Sequence, residues 1–206
     1  HQLSSITISR VVSFSSLSYT YTCKHPFAIK YTELHISPCI KSSSFRFVFM
    51  GLNEEVENNN STNNPSSEWR FHRDIYVNKI DAQAVVHAHS PHATAVSSHG
   101  KSIPPFHYMI ALAGGEDIKC AEYATFGTEE LSKNVIKALE NRTACLMSNH
   151  GQVAFGKNLE DAFELAQEVE NICHQYTIAL KLGEPKILSF EEMKKVLVKA
   201  KDYKKG

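Results

Sequence analysis

The chain predicts an α/β fold, and three observations carry that prediction. The short β-branched apolar run Ala84 to His89 reads as a buried strand, and Thr143 to Met147 as a further strand. Three further stretches carry apolar residues at helical spacing, two of them behind helix-starting caps. A length of 206 residues with 42% hydrophobic content suffices for one good-sized core, so a single domain is the default.

Residues 1–50 contain no glycine and are rich in serine, with clusters at Ser15-Ser16 and Ser42-Ser43-Ser44. Val11, Val12, Phe14, Tyr19 and Tyr21 are strand formers, but turn chemistry around them is sparse. This stretch is therefore expected to be an irregular N-terminal segment of the domain. It is basic and free of acids up to Glu33, as transit segments are; a chain opening at His1 fits the start of a fragment better. Residues 51–64, hydrophilic and without periodicity, are expected to form a loop, and residues 65–206 carry the well-specified α/β pattern.

Pro65-Ser66-Ser67 ahead of Glu68 to Tyr76 reads as a capped helix start with Trp69 or Phe71, Ile75 and Tyr76 as apolar contacts. Serine hydroxyls and free N–H groups at a helix N-terminus form an anion seat. In the strand Ala84 to His89, period-2 alternation places His87 and His89 on one face, where two imidazoles can chelate one ion. Ile118 to Thr125 is expected to be another strand. Thr143 to Met147 runs into the turn Asn149-His150-Gly151, from which Val153-Ala154-Phe155 returns as a hairpin partner.

Thr128 caps a helix with Glu129 and Glu130 in its first turn and Leu131, Val135 and Leu139 on its apolar face. The longest helix spans Leu159 to Leu182 and stops at Gly183 and Pro185. Ser189 with Glu192 three residues on is a capping-box pattern, opening a last helix that carries Met193, Val196, Leu197 and Ala200.

Composition excludes several partners. Twenty-two basic and 22 acidic residues cancel, so no global charge favours nucleic acid or an anionic membrane. No apolar run approaches the ~20 residues that span a bilayer. The five cysteines are scattered without a Cys-x-x-Cys pair, which argues against a disulfide framework or a thiolate zinc site and fits a reducing, cytoplasmic setting.

Glu68, His87, His89 and His150 together offer three imidazole nitrogens and one carboxylate, the ligand set of a catalytic zinc with a position open for substrate. Such an ion stabilises a developing oxyanion, so a hydroxy-carbonyl substrate can lose a carbon-bound proton to a nearby carboxylate. Glu68 is the candidate base, and Tyr108 the candidate to handle the proton on a second carbonyl. His72, His92, His99, His107 and His174 are read as ordinary core or surface groups.

Several ordered blocks resemble the class II aldolase/adducin family. They are Pro65-Ser66-Ser67-Glu68-Trp69-Arg70-Phe71-His72, Val85-Val86-His87-Ala88-His89, Ser102-Ile103-Pro104, His107-Tyr108-Met109-Ile110-Ala111, Ala113-Gly114-Gly115, Tyr123 to Thr128 and Asn149-His150-Gly151. The resemblance runs from Pro65 to about Tyr176. It implies a three-layer α/β/α domain with a central, mainly antiparallel sheet, zinc as cofactor and a homotetramer. It also implies reversible cleavage of L-fuculose 1-phosphate, or a similar ketose 1-phosphate, to dihydroxyacetone phosphate and L-lactaldehyde. On that resemblance His87, His89 and His150 match zinc ligands, and Glu68 matches a ligand that is also the acid/base. Tyr108 matches a proton donor to the aldehyde oxygen, Ser66 and Ser67 part of a phosphate site, Phe126 an aromatic on the aldehyde side, and Tyr203 a C-terminal tyrosine reaching a neighbour's site.

The departures lie near the beginning. Ser5 to Arg10 stands in place of a Gly-Asn-x-Ser-x-Arg motif and Ile36-Ser37-Pro38-Cys39 in place of Thr-Pro-Ser/Thr-Gly, each without its glycine, so no residue before Ser66 is taken as a phosphate ligand. Family 4-epimerases carry aspartate where Glu68 stands, and adducin-like association modules have lost the metal histidines. An aldolase is therefore expected ahead of an epimerase, a dehydratase or a non-catalytic module.

Overall fold

The computed structural model describes residues 66–203, with side chains through residue 200, and the backbone of three strands at 17–24, 29–36 and 44–50. Those strands, β1 (Leu17–Lys24), β2 (Ile29–Ile36) and β3 (Ser44–Met50), come from the serine-rich stretch that looks irregular by pattern. They pair antiparallel, β3 on β2 on β1. Tyr19 and Tyr21 fall in β1; Val11 to Phe14, Ser5 to Arg10, Ser37 to Cys39 and the 51–64 segment lie outside the described residues.

The chain continues through α1 (Trp69–Asn78), β4 (Ala84–Ala88), α2 (Pro91–Ser97), a 3-10 turn (Tyr108–Ala113) and β5 (Cys120–Ala121). Then follow α3 (Glu129–Ala138), β6 (Ala144–Met147), β7 (Gly151–Gly156), α4 (Leu159–Leu182) and α5 (Phe190–Tyr203). The seven strands form one sheet in the order β3-β2-β1-β4-β7-β6-β5, antiparallel throughout except for the β5–β6 pair.

Alternation along the strands sorts the core into two layers. Ala84, Val86, Ala88, Ala144, Leu146 and Ala154 face α2, α4 and α5. Val85, Cys145, Met147, Val153 and Phe155 face α1 and α3, where Phe71, Ile75, Leu131 and Val135 meet them. This is the expected three-layer arrangement. Strand β4 is buried along its whole length because both faces are covered, which is why its sequence reads as a continuous apolar run.

The expectations for the last three helices hold, whereas α1 begins at Trp69 with Glu68 at its N-cap and no side-chain cap from Ser66 or Ser67. Thr128 Oγ1 accepts from Leu131 N–H at 3.2 Å, helix α4 has the expected bounds, and Ser189 Oγ accepts from Glu192 N–H at 3.2 Å. Three strands are shorter than expected, β6 only by its first residue, Thr143. The Ile118 to Thr125 run is strand only at Cys120–Ala121, with Ile118 bridged singly to Ile103. Its parallel partner β6 ends at Met147, and once Ser148 N–H has bonded to the Ala121 carbonyl, residues beyond have no strand to pair with. Strand β4 stops at Ala88, one residue before His89, because Ser90 and Pro91 start α2.

Candidate metal site

The site forms where the start of α1, the end of β4 and the β6–β7 turn meet. Ser66 turns the chain into α1: its carbonyl accepts from Trp69 N–H at 3.1 Å and its hydroxyl from Glu68 N–H at 3.4 Å. Glu68 holds the N-cap position without capping its own helix. Its carboxylate points across to the imidazoles, Oε2 lying 2.8 Å from His87 Nε2 and Oε1 2.7 Å from His150 Nε2.

His87 shares the α1 face of β4 with Val85, as alternation requires. Its Nδ1–H donates to the Gln152 carbonyl at 2.8 Å, which directs Nε2 into the site, 2.9 Å from His89 Nε2. His150 is set by a tight turn. Asn149 takes a left-handed φ of 55°, His150 N–H bonds to the Met147 carbonyl at 3.0 Å, and a side chain on Gly151 would collide with the Ala88 carbonyl.

The four donor atoms lie within 4.8 Å of one another. Zinc reaches such donors at about 2.0–2.2 Å, so a set this close can share one ion. The donor chemistry also fits. With Nδ1 committed to a carbonyl, a neutral His87 presents a lone pair to the Glu68 carboxylate and to His89, and acceptors this close repel unless a cation or a proton lies between them. Glu68 and His87 are buried while His89 is exposed and His150 half-buried, so the cluster opens to solvent on the side of the last two.

Electrostatics keep Glu68 anionic. Burial works to raise its pKa, but the imidazoles of His150 and His87 within hydrogen-bonding reach overcome it and hold the carboxyl well below the usual range. His89 is lowered to about 4, by burial first and then by the neighbouring rings of His87 and His150. His72, one turn along α1, is fully buried and lowered to about 3 by burial and by His87. It stacks on Phe71 with centroids 4.7 Å apart and stays a neutral packing group, as expected of it.

The other expected site residues divide by location. Ser67 meets the Phe126-Gly127 turn: Gly127 has φ 76°, and a Cβ there would sit 2.9 Å from the Ser67 carbonyl oxygen. Phe126, 65% exposed, thus lies at the segment that abuts Ser67. Tyr108 belongs to the 3-10 turn in the α4–α5 layer and is 55% exposed. Among the described residues its ring meets His107, at 4.8 Å, and no contact joins it to the four donors. The Tyr203 backbone closes α5; its side chain lies outside the described residues. Pattern reading missed Gln152, although a polar residue ahead of the buried Val153-Ala154-Phe155 run was the available signal.

Fold and donor set together define an α/β protein built around a His-His-His-Glu cluster that could hold a metal ion. The chain belongs to the class II aldolase and adducin family: the family described as Class II Aldolase and Adducin N-terminal domain matches residues 14–177. It is similar to the 5-methylthioribulose-1-phosphate/5-deoxyribulose-1-phosphate aldolase of Rhodospirillum rubrum, 51% identical over 139 residues, covering 68% of this chain and 63% of that protein. It is also similar to the L-fuculose phosphate aldolase of Escherichia coli, 54% identical over 140 residues, covering 68% of this chain and 65% of that one. Among solved structures, an L-fuculose 1-phosphate aldolase superposes with a TM-score of 0.79 at 36% identity, covering 89% of this chain and 85% of the other. The chain thus matches slightly less than two thirds of the length of these curated relatives.

Proposed function

We propose that this chain is a zinc-dependent aldehyde-lyase that reversibly cleaves a ketose 1-phosphate into dihydroxyacetone phosphate and a short aldehyde. The observation that carries the reading is the convergence of Glu68, His87, His89 and His150 on one point that is open to solvent on one side. L-Fuculose 1-phosphate, giving L-lactaldehyde, is the proposed substrate. The Rhodospirillum relative is named for 5-deoxyribulose and 5-methylthioribulose 1-phosphates, which makes these the second candidates.

His87, His89 and His150 would hold the ion, with Glu68 as a displaceable fourth ligand. When bound, the ion supplies Lewis acidity to the carbonyl and hydroxyl oxygens at the ketose end. Ser66 and Ser67, with the N–H groups that open α1, receive the phosphate. In the condensation direction Glu68, kept anionic, takes the proton from the carbon of dihydroxyacetone phosphate that becomes the nucleophile; in cleavage it returns that proton. Phe126 lines the aldehyde side. Tyr108 donates the proton to the aldehyde oxygen, and because it has no contact with the donors of its own chain, this role calls for a neighbouring copy. Tyr203, which by resemblance would act at a neighbour's site, belongs with the homotetramer we propose.

Free Cys120, Cys145 and Cys173 support a reducing, cytoplasmic setting. Among the described residues no helix is long and apolar enough to cross a membrane. The test is a retro-aldol assay of purified protein on L-fuculose 1-phosphate, 5-deoxyribulose 1-phosphate and ribulose 5-phosphate. Release of dihydroxyacetone phosphate from either 1-phosphate supports the reading; epimerisation of ribulose 5-phosphate without cleavage refutes it.

A further inference from the structure

A hydrogen-bonded chain runs behind the metal site, on the opposite face of the sheet. It begins at Gln152, only 1% exposed, whose carbonyl accepts the His87 Nδ1 proton. Alternation sends the Gln152 side chain to the α4 side, where its Nε2 donates to the Ala166 carbonyl and to Ser90 Oγ, each at 2.9 Å. The amide cannot be turned round, since its oxygen would then face a carbonyl that only accepts.

Ser90 Oγ gives its single proton to Glu170 Oε2 at 2.6 Å. Glu170, on α4, also accepts the N–H of Ala93 on that oxygen at 2.8 Å and the N–H of His92 on the other at 2.9 Å. The direction Gln152 to Ser90 to Glu170 is therefore fixed at each donor.

These links adjoin all three imidazoles. Ser90 directly follows His89, Gln152 lies just beyond His150 and Gly151, and the Gln152 carbonyl orients His87. Any residue at that position supplies a carbonyl, so the work of the side chain is to fix where the carbonyl stands. The arrangement carries a penalty an apolar residue would avoid: Gln152 Oε1 is buried with no partner among the described residues. A buried polar chain is retained where it specifies one geometry over others.

We propose that Gln152, Ser90 and Glu170 are positioning residues of the metal site: pinned to α4, they set the directions from which His87, His89 and His150 present Nε2, without touching ion or substrate. The inference rests on metal binding at the site but not on the substrate.

The test compares the unsubstituted chain with Ser90→Ala, which severs the chain of bonds, and with Glu170→Gln, which keeps the side-chain shape should the first variant fold poorly. Three quantities are measured: zinc affinity by competition with a chromophoric chelator, the visible spectrum of the cobalt(II)-loaded protein, and the Tm of the metal-free form. We expect zinc affinity to fall roughly 10- to 100-fold with a changed cobalt spectrum, while the metal-free Tm moves by no more than about 4–8 °C. Zinc affinity within two-fold of the unsubstituted chain, or a loss with an unaltered cobalt spectrum, would overturn the inference. A chain that binds no zinc even unsubstituted would instead overturn the metal reading beneath it.

Discussion

Glu68 Oε1 stands 2.7 Å from His150 Nε2, joining the N-cap of α1 to the turn between β6 and β7. An acid at a helix N-cap ordinarily accepts from its own first-turn N–H groups. Here the carboxylate leaves that task, and the diversion is most simply explained by a use elsewhere.

Replacing Glu68 with Gln separates that use from metal binding. Three imidazoles remain, so zinc is expected to stay near one per chain. Exchange of the dihydroxyacetone phosphate proton with solvent should fall by about 10²–10⁴-fold. Exchange at the unsubstituted rate, followed by NMR in D₂O, would remove Glu68 as the base.

Gly151 has no room for a side chain against the Ala88 carbonyl. Gly151→Ala must push β7 from β4 or unwind the turn that carries His150. A loss of about 1–3 kcal/mol is expected, with zinc binding weakened as well. Denaturant unfolding with and without zinc measures both effects; an unaltered midpoint would show that the contact relaxes freely.

The depressed pKa of His72 fixes the sign of a pH effect. Between its folded value of about 3 and an unfolded value near 6.5, the unfolded chain binds a proton that the native state does not. Its contribution is fully present above the unfolded value and is lost as pH falls toward the folded one, at up to ~1.4 kcal/mol per pH unit. In metal-free protein, stability from pH 6 down to pH 4 should therefore fall less steeply for His72→Leu than for the parent, by denaturant titration at each pH.

Ser67→Asp places a negative charge at the opening of α1, where phosphate is proposed to sit. KM for a ketose 1-phosphate should rise about ten-fold or more with a smaller change in kcat, while zinc content stays the same. Steady-state kinetics at fixed ionic strength decide it, and an unchanged KM would move the phosphate elsewhere.

Much of this was legible in the residues, for identifiable reasons. Helices α3 and α4 announce themselves because caps and apolar spacing are local signals: Thr128 and Gly183 mark ends without help from the rest of the chain. His87 and His89 were paired by alternation alone. Strands β1 to β3 were not so readable, because their stability comes from partners across the sheet, while serine and sparse turn signals hid their ends. Helix α2 had Ser90 and Pro91 as a start signal, but its short span gave no periodicity to accompany it. Tyr108 was placed by its neighbours in sequence, and only the fold puts it in the layer opposite Glu68.

The central claim is that four side chains from three parts of the chain share one divalent cation. X-ray absorption at the zinc edge of the zinc-loaded protein tests it most directly. Three imidazole nitrogens at about 2.0–2.1 Å with a further oxygen at about 2.0–2.2 Å are expected. A sulfur neighbour near 2.3 Å, or fewer than two imidazoles, would contradict the account.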